Sequence, residues 1–212
     1  MNQIKFKSNV VILCDGAFPE HPIPLSYLKN AEQIICCDAA ADKLIEHGMT
    51  PAYIVGDMDS VSEKTKSDFA DRIVSSTDQE TNDQTKAVDF VSKRGFKSVV
   101  ILGATGKRED HTIGNISLLL DYASKLDVVS ISNSGYFQPV LKSQKFDSFK
   151  GQQVSIFSIG NPTPVTSQNL KYPLNNTTLN SWWMGTLNEC LSNTFSLEFS
   201  NGRFIVFQKF DV

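Results

Sequence analysis

The chain has 212 residues, with 20 Lys and Arg against 23 Asp and Glu and a net charge of −3. Its 41% hydrophobic and 20% charged content is that of a folded globular protein and excludes a disordered or fibrous chain. The mild acidity also excludes a broad basic footprint for nucleic acid or an anionic membrane, so a polyanionic ligand must be met by a cation or a local group of Arg and Lys.

The first apolar run, residues 10–14, is too short for the core of a secretory signal. No run approaches the ~20 apolar residues of a membrane span. Cys14, Cys36, Cys37 and Cys190 form no C-x-x-C pair, and His21, His47 and His111 show no metal-ligand spacing with them. They read as reduced structural thiols, and the expectation is a soluble cytoplasmic protein.

Residues 10–14, 34–37, 53–55, 73–74, 99–102 and 128–131 are short continuous apolar runs, as in strands covered on both faces. Helical patterns lie between them. Residues 40–46 form one, stopped by Gly48, and residues 62–71 another. Over 83–94, Ala87, Val88, Phe90 and Val91 share a face, Thr81 or Asn82 can cap the start, and Gly95 ends the pattern. The fourth pattern covers 111–125, with Asp110 as its cap and Ile113, Ile116, Leu119, Leu120 and Ala123 facing inward. This alternation predicts an α/β domain with a mostly parallel, doubly wound sheet over residues 1–135.

Beyond Ser134 the helical period disappears. Residues 153–159 and 194–199 alternate like half-buried strands, and Asn201-Gly202 reads as a hairpin turn between 194–199 and the run from Phe204. Phe195, Leu197, Phe199, Phe204 and Val206 would form one apolar face. Residues 136–212 are thus predicted to be a small antiparallel, sandwich-like β domain.

Ligands of an open parallel sheet bind beyond the carboxyl ends of its strands. There the sequence places Asp15-Gly16, Asp38, Gly56-Asp57-Met58-Asp59-Ser60, the segment Asp78 to Asp83, and Gly103-Ala-Thr105-Gly106-Lys107-Arg108. A single Asp at such a point ordinarily caps the next helix. Several converging ones repel by a few kcal/mol at ~4 Å and an effective dielectric near 20, and require a compensating proton or cation. The i, i+2 spacing of Asp57 and Asp59 lets one turn address one metal, and an oxygen-only set suits Mg²⁺ bridging to the phosphates of a nucleoside triphosphate. The glycine segment can cradle phosphate with backbone N–H groups and the start of a helix, with Lys107 and Arg108 as a clamp. It is neither a P-loop nor a G-x-G-x-x-G fingerprint. Lys86 is either a solvated ion-pair partner of Asp83 or a phosphate contact beside a metal-bound Asp83. His111 and Asn115, one helical turn apart, face the same crevice or satisfy backbone groups.

Taken together, Asp38-Ala-Ala-Ala-Asp-Lys, Gly56-Asp-Met-Asp-Ser, Asp78-Gln-Glu-Thr-Asn-Asp-Gln-Thr-Lys86 and Gly103-Ala-Thr-Gly-Lys-Arg-Glu-Asp-His111-Thr-Ile-Gly-Asn115 resemble, in order and spacing, the motifs of thiamine pyrophosphokinases. More loosely, residues 166–174 and Ser192-Asn193-Thr194 are similar to that family's C-terminal motifs. The chain departs from the pattern at Lys107 and Asn169, where the family carries Gly, at Glu109, often Leu, and at Tyr172, where it carries Trp.

The resemblance implies transfer of a diphosphoryl group from ATP to the hydroxyl of thiamine, with Mg²⁺ as cofactor. It also implies a homodimer whose active sites lie between subunits; from the charge balance above, no nucleic-acid or membrane partner is expected. It assigns metal binding to Asp38, Asp57, Asp59 and Asp83, and catalysis to Asp57, Asp59, Asp83, Arg108 and Asp110. ATP contacts fall to Asp38, Lys86, Gly103, Thr105, Gly106, Lys107, Arg108, His111 and Asn115. Thiamine contacts fall to Ser192 and Asn193 and to an aromatic ring among Tyr172, Trp182 and Trp183. On a regular strand, Trp182 and Trp183 would point to opposite faces, leaving one in the core or an interface. Rival expectations are a diphosphokinase for another heterocyclic alcohol, such as a hydroxymethylpterin, and a non-catalytic nucleotide- or thiamine-binding module.

Overall fold

A computed structural model describes residues 4–76, 78 and 80–211. Thr77 and Gln79, in the predicted link between the fourth strand and the helix over 83–94, lie outside the described residues. The chain divides into two units, 6–133 and 134–211, and Ile4 and Lys5 belong to the second. Lys5 is tied there by an ion pair to Asp147 at 2.8 Å.

In the first unit the predicted apolar runs are strands: β1 (Val10–Leu13), β2 (Gln33–Cys37), β3 (Tyr53–Gly56), β4 (Ile73–Ser75), β5 (Ser98–Leu102) and β6 (Asp127–Ile131). All neighbours pair in parallel, in the order β6-β5-β1-β2-β3-β4. The central strands are apolar at every position because both faces are covered. The chain builds outward from β1 to β4 and then returns to lay β5 against the other edge of β1. The topological switch point therefore falls between β1 and β5, where open α/β sheets bind ligands.

Among the described residues, six α-helices connect the strands: α1 (Pro22–Asn30), α2 (Ala40–Glu46), α3 (Glu63–Asp68), α4 (Asp83–Lys93), α5 (Glu109–Ser117) and α6 (Leu119–Tyr122). Asn82 caps α4, its Oδ1 accepting the N–H of Thr85 at 2.9 Å, and Ser62 caps α3 in the same way at 3.2 Å. Helix α1 has no counterpart among the predicted helices. Its Pro22 is tolerated because a first-turn residue has no intrahelical use for its N–H, and the His21 ring accepts the N–H of Ile23.

The pattern over 111–125 divides into α5 and α6 at Leu118, and this corrects two expectations. The Ser117 hydroxyl donates to the Gly114 carbonyl at 2.8 Å, a Gly/Ser interruption of the kind that breaks a helical ladder. Leu119 and Leu120 are buried as predicted, but Ile113 is exposed. Arg108 holds the cap position instead of Asp110, whose carboxylate turns to Arg108 and to the N–H of His111. Among the described residues, no helix is long and apolar enough to cross a membrane. Cys14, Cys36, Cys37 and Cys190 are free and buried, and burial pushes the Cys36 thiol far up.

The second unit is antiparallel throughout. Its strands are β7 (Gly135–Val140), β8 (Gln144–Asp147), β9 (Gln153–Ser158), β10 (Pro164–Gln168), β11 (Thr177–Thr178), β12 (Asn188–Glu189), β13 (Thr194–Glu198) and β14 (Phe204–Lys209). They order as β12-β9-β14-β7 and β11-β10-β13-β8. The predicted hairpin does not form: β13 pairs with β8 and β10, whereas β14 pairs with β7 and β9. Asn201-Gly202 is a corner between sheets. The alternation was nonetheless correct, since Phe195, Leu197, Phe204 and Val206 meet in one buried cluster with Phe199 against it.

Asn169 has φ +62, in the left-handed region that favours Gly and, among other residues, Asn. Its Nδ2 also donates to the Thr194 carbonyl at 3.1 Å. Asn169→Gly, which loses this exposed bond but fits the backbone without strain, is expected to change the melting temperature little. Asn169→Val, which loses the bond and strains the backbone, should cost about 1–3 kcal/mol by denaturant titration.

Candidate active site

A cavity of about 420 Å³ opens over the carboxyl ends of β1, β2, β3 and β5. Its floor is the seam between β1 and β5. Gly16 N–H donates to the Gly103 carbonyl and Ala17 N–H to that of Thr105, both at 2.7 Å. The seam demands glycine: a Cβ on Gly16 would lie 2.2 Å from the Gly103 oxygen, and Gly103 itself has φ +67. Thr105, Lys107, Arg108, His111 and Thr112 line the side beyond this loop.

The opposite side is acidic. Asp38 has φ +47, which turns it directly off the end of β2, and its Oδ2 accepts the Ser60 N–H at 3.2 Å. Its Oδ1 is buried without a hydrogen-bond partner. Burial pushes the Asp38 carboxyl up, helped by the charges of Asp83 and Asp57 and opposed by the Ser60 N–H. Gly56 lies close under this crowding: a Cβ there would lie 3.2 Å from Asp38 Cβ and 3.4 Å from Asp38 Oδ1 and Asp83 Cγ. Asp57 also lines the cavity and accepts the Asp59 N–H at 3.1 Å. Asp59 is exposed and is not among the lining residues. Among the described residues, no three His, Cys, Asp or Glu stand together as a ready metal cage. The donor set still suits Mg²⁺, which takes one or two carboxylates and completes its shell with water and substrate phosphate. An unpartnered oxygen on Asp38, flanked by two more carboxylates, is such a donor set.

The cations stand around this group. Lys86 reaches back one turn of α4 to Asp83 at 3.0 Å, with its side chain buried. Arg108 grips Asp110 through Nε at 3.1 Å and through Nη2 at 2.5 Å, both in the open. The guanidinium brings the Asp110 carboxyl down to about 2. Asn115 is a strut: its Nδ2 donates to the Ala104 carbonyl at 2.9 Å, while its Oδ1 accepts from the Asn82 cap at 3.0 Å. The glycine loop and the start of α4 are thereby held together.

Of the predicted nucleotide-side residues, Asp38, Asp57, Asp83, Lys86, Gly103, Thr105, Lys107, Arg108, His111 and Asn115 line the one cavity. Asp59, Gly106 and Asp110 do not, although Gly106 shapes the loop with φ +90. Asp15 and Gln84, which had no assigned role, and Asn82, expected only as a helix cap, are further lining residues. Gln84 was legible as the polar residue in the apolar stripe of α4. It is buried and donates to the Asn115 carbonyl at 3.1 Å.

In the second unit Trp182 and Trp183 lie on a 3₁₀ turn, Trp182–Gly185, and not on a strand. The regular-strand condition for opposite faces is therefore not met. Both rings are solvent-facing, Trp182 at 47% and Trp183 at 75% exposure, as is Tyr172 at 61%. Gly185 seats the turn, because a Cβ there would meet the Ile156 carbonyl at 2.0 Å. Asn193 lines a second cavity of about 310 Å³ with Tyr136, Asp147, Phe149 and Gln152, and Ser192 beside it is half-buried.

Residues 25–130 match the catalytic domain of thiamin pyrophosphokinase, and residues 135–207 match the substrate-binding domain of the same enzyme. Thiamine pyrophosphokinase 1 of Oryza sativa subsp. japonica is 30% identical over 61% of this chain and 54% of its own length, so the chain spans about half of that relative. Thiamine pyrophosphokinase of Bacillus subtilis (strain 168) is 25% identical over 91% of this chain and 95% of its own. The crystal structure of thiamine pyrophosphokinase from Bacillus subtilis superposes with a TM-score of 0.78 at 23% identity, covering 96% of this chain and all of that one. Thiamin pyrophosphokinase from Candida albicans does so with the same TM-score at 20% identity, covering 96% and 90%. With both halves of the family's architecture present in order, the chain belongs to the thiamin pyrophosphokinase family of enzymes.

Proposed function

We propose that the protein transfers the terminal diphosphoryl group of ATP to the hydroxyl of thiamine, giving thiamine diphosphate and AMP. The observation that carries this reading is the meeting of Asp38, Asp57 and Asp83 with Lys86, Lys107 and Arg108 around one cavity at the β1/β5 switch point. Such a site positions a polyphosphate and neutralises charge, which is most of what phosphoryl transfer requires. The acceptor oxygen bonds to the β-phosphorus, the bond from that phosphorus to the α–β bridging oxygen breaks, and AMP leaves with that oxygen. The acceptor's proton passes to solvent. Mg²⁺ held by Asp38, Asp57 and Asp83, with Asp59 as the outer member of the set, would supply charge neutralisation between the phosphates. Arg108 binds the phosphates from the other side, and Asp110 orients its fork. The N–H groups of the glycine loop and of the start of α5 add donors along the chain of phosphates.

The acceptor is assigned to the second unit, which matches the family's substrate-binding domain. Ser192 and Asn193 offer hydrogen bonds to an aminopyrimidine, and Tyr172, Trp182 and Trp183 offer aromatic faces to a thiazolium cation. A homodimer with the active site shared between subunits completes the proposal.

Incubation with ATP, Mg²⁺ and thiamine should yield AMP and thiamine diphosphate in equal amounts. ADP with thiamine monophosphate would instead mean single phosphoryl transfer. Turnover with a hydroxymethylpterin alone would mean a different acceptor, and binding without turnover would mean a sensor. Ala substitution at the ring that stacks on thiamine should raise the KM for thiamine roughly 2- to 30-fold, the equivalent of ~0.5–2 kcal/mol of cation–π attraction, and leave the KM for ATP unchanged. If Tyr172→Ala, Trp182→Ala and Trp183→Ala all leave the thiamine KM unaltered, aromatic capture by this segment is wrong.

A further inference from the structure

Asp15, where the chain leaves β1, holds two lysines at the rim of the nucleotide cavity. Lys107 Nζ donates to its Oδ2 at 2.8 Å. Lys43 Nζ lies 2.6 Å from its Oδ1 and also donates to the Gly16 carbonyl at 3.3 Å. Burial would push the Asp15 carboxyl up, but the Lys107 hydrogen bond and the charges of Lys43 and Lys107 outweigh it and hold the carboxyl below its usual range. Asp15 and Lys107 line the cavity, whereas Lys43, on α2, does not. Lys107 follows Gly106 in the loop whose Gly103 and Thr105 carbonyls accept from Gly16 and Ala17, and its ammonium, on a flexible stem, is half exposed.

A carboxylate facing a polyphosphate site is unfavourable, and one lysine is enough to neutralise it. The second changes what can happen when a ligand arrives. A polyphosphate carries several negative charges and competes well for an ammonium that is not desolvated. If Asp15 had Lys107 alone, the departure of that lysine would strand a carboxylate beside the incoming phosphates. With Lys43 held in place by the Gly16 carbonyl, Asp15 stays neutralised and Lys107 is free to go.

We propose that Lys107 is a specificity residue for the phosphates beyond the first, held in reserve by Asp15, and that Lys43 is the positioning residue that lets it transfer. The inference rests on the nucleotide reading above and adds the part of the nucleotide that is selected. The consequence expected of this arrangement is that ATP gains from Lys107 and AMP does not.

Calorimetric titration of ATP and AMP, each with Mg²⁺, into the full-length protein tests it. Lys107→Met should weaken ATP about 10-fold and leave AMP unchanged. Lys43→Met, with Lys107 intact, should weaken ATP to a similar extent, because Lys107 then stays with Asp15. Adding Asp15→Asn to Lys43→Met should return ATP affinity to within about 2-fold of the unaltered protein. A merely structural role for the cluster predicts no such rescue. The inference is overturned if Lys107→Met weakens ATP and AMP alike or neither, if Lys43→Met leaves ATP affinity unaltered, or if the double substitution does not rescue. Failure of the unaltered protein to bind ATP would sink both this inference and the nucleotide reading. Normal ATP binding that ignores Lys107 would sink the inference alone. Lys107→Gln and Lys43→Gln repeat the comparison should either Met variant fold poorly.

Discussion

Asp38→Asn is expected to raise the melting temperature of the ligand-free protein while lowering kcat by at least about 10²-fold. Burial and the neighbouring Asp83 and Asp57 raise the Asp38 carboxyl above its ordinary value of 3.8. The folded state therefore binds a proton more readily than the unfolded chain. Stability falls as pH rises from the ordinary value through the raised one, and the cost of the ionised form persists above that window. Asn removes the charge, keeps the acceptor for the Ser60 N–H, and tolerates the positive φ of this position. Each kcal/mol regained should appear as about 2–4 °C in Tm. The further rise in Tm on adding Mg²⁺ and ATP should shrink, because the substitution removes part of what binds them. Asp83→Asn should behave oppositely in the ligand-free protein, since it strands the buried ammonium of Lys86. Scanning calorimetry of the two variants at several pH values separates these outcomes. Destabilisation by Asp38→Asn would mark this residue as a structural cap for the turn at Ser60, and its place in the metal set would fall.

Arg108→Ala should lower kcat by roughly 10²- to 10³-fold with little change in Tm. The guanidinium and its Asp110 partner are both exposed, and exposed pairs contribute little to stability. Arg108→Lys should recover only part of the activity, because the grip on Asp110 uses two nitrogens of a planar fork that an ammonium cannot reproduce. The Asp110 carboxyl, held at about 2 by Arg108, stays ionised throughout the working range. The activity lost in Arg108→Ala should therefore be the same from mildly acidic to alkaline pH in initial-rate measurements. A variant with full activity would remove Arg108 from the phosphate clamp.

The sequence by itself determined the six strands of the first unit and the helices α2, α3 and α4. Continuous apolar runs such as 10–14 and 99–102, alternating with helical patterns, suit parallel strands covered on both faces, and the helix signals at Asn82, Gly48 and Gly95 act within a few residues of themselves. Strand ends dictate ligand geometry in such a sheet, so the acidic and glycine-rich segments could be placed at one site before any contact was known. Local rules failed where the outcome depended on distant partners. Asn201-Gly202 has hairpin chemistry, yet β13 and β14 enter different sheets, because pairing with β8 and β10 on one side and with β7 and β9 on the other satisfies both strands while leaving their apolar faces in one core. Ile113 keeps helical spacing within α5 but stays exposed. The Asp15 cluster was not legible either. Lys43 and Lys107 are 64 positions apart in the chain, and only the return of β5 to the side of β1 brings both to one carboxylate. Local propensity settles elements because its causes span a few residues. Charge clusters and sheet membership are settled by which strand lies beside which, and that is a property of the whole fold.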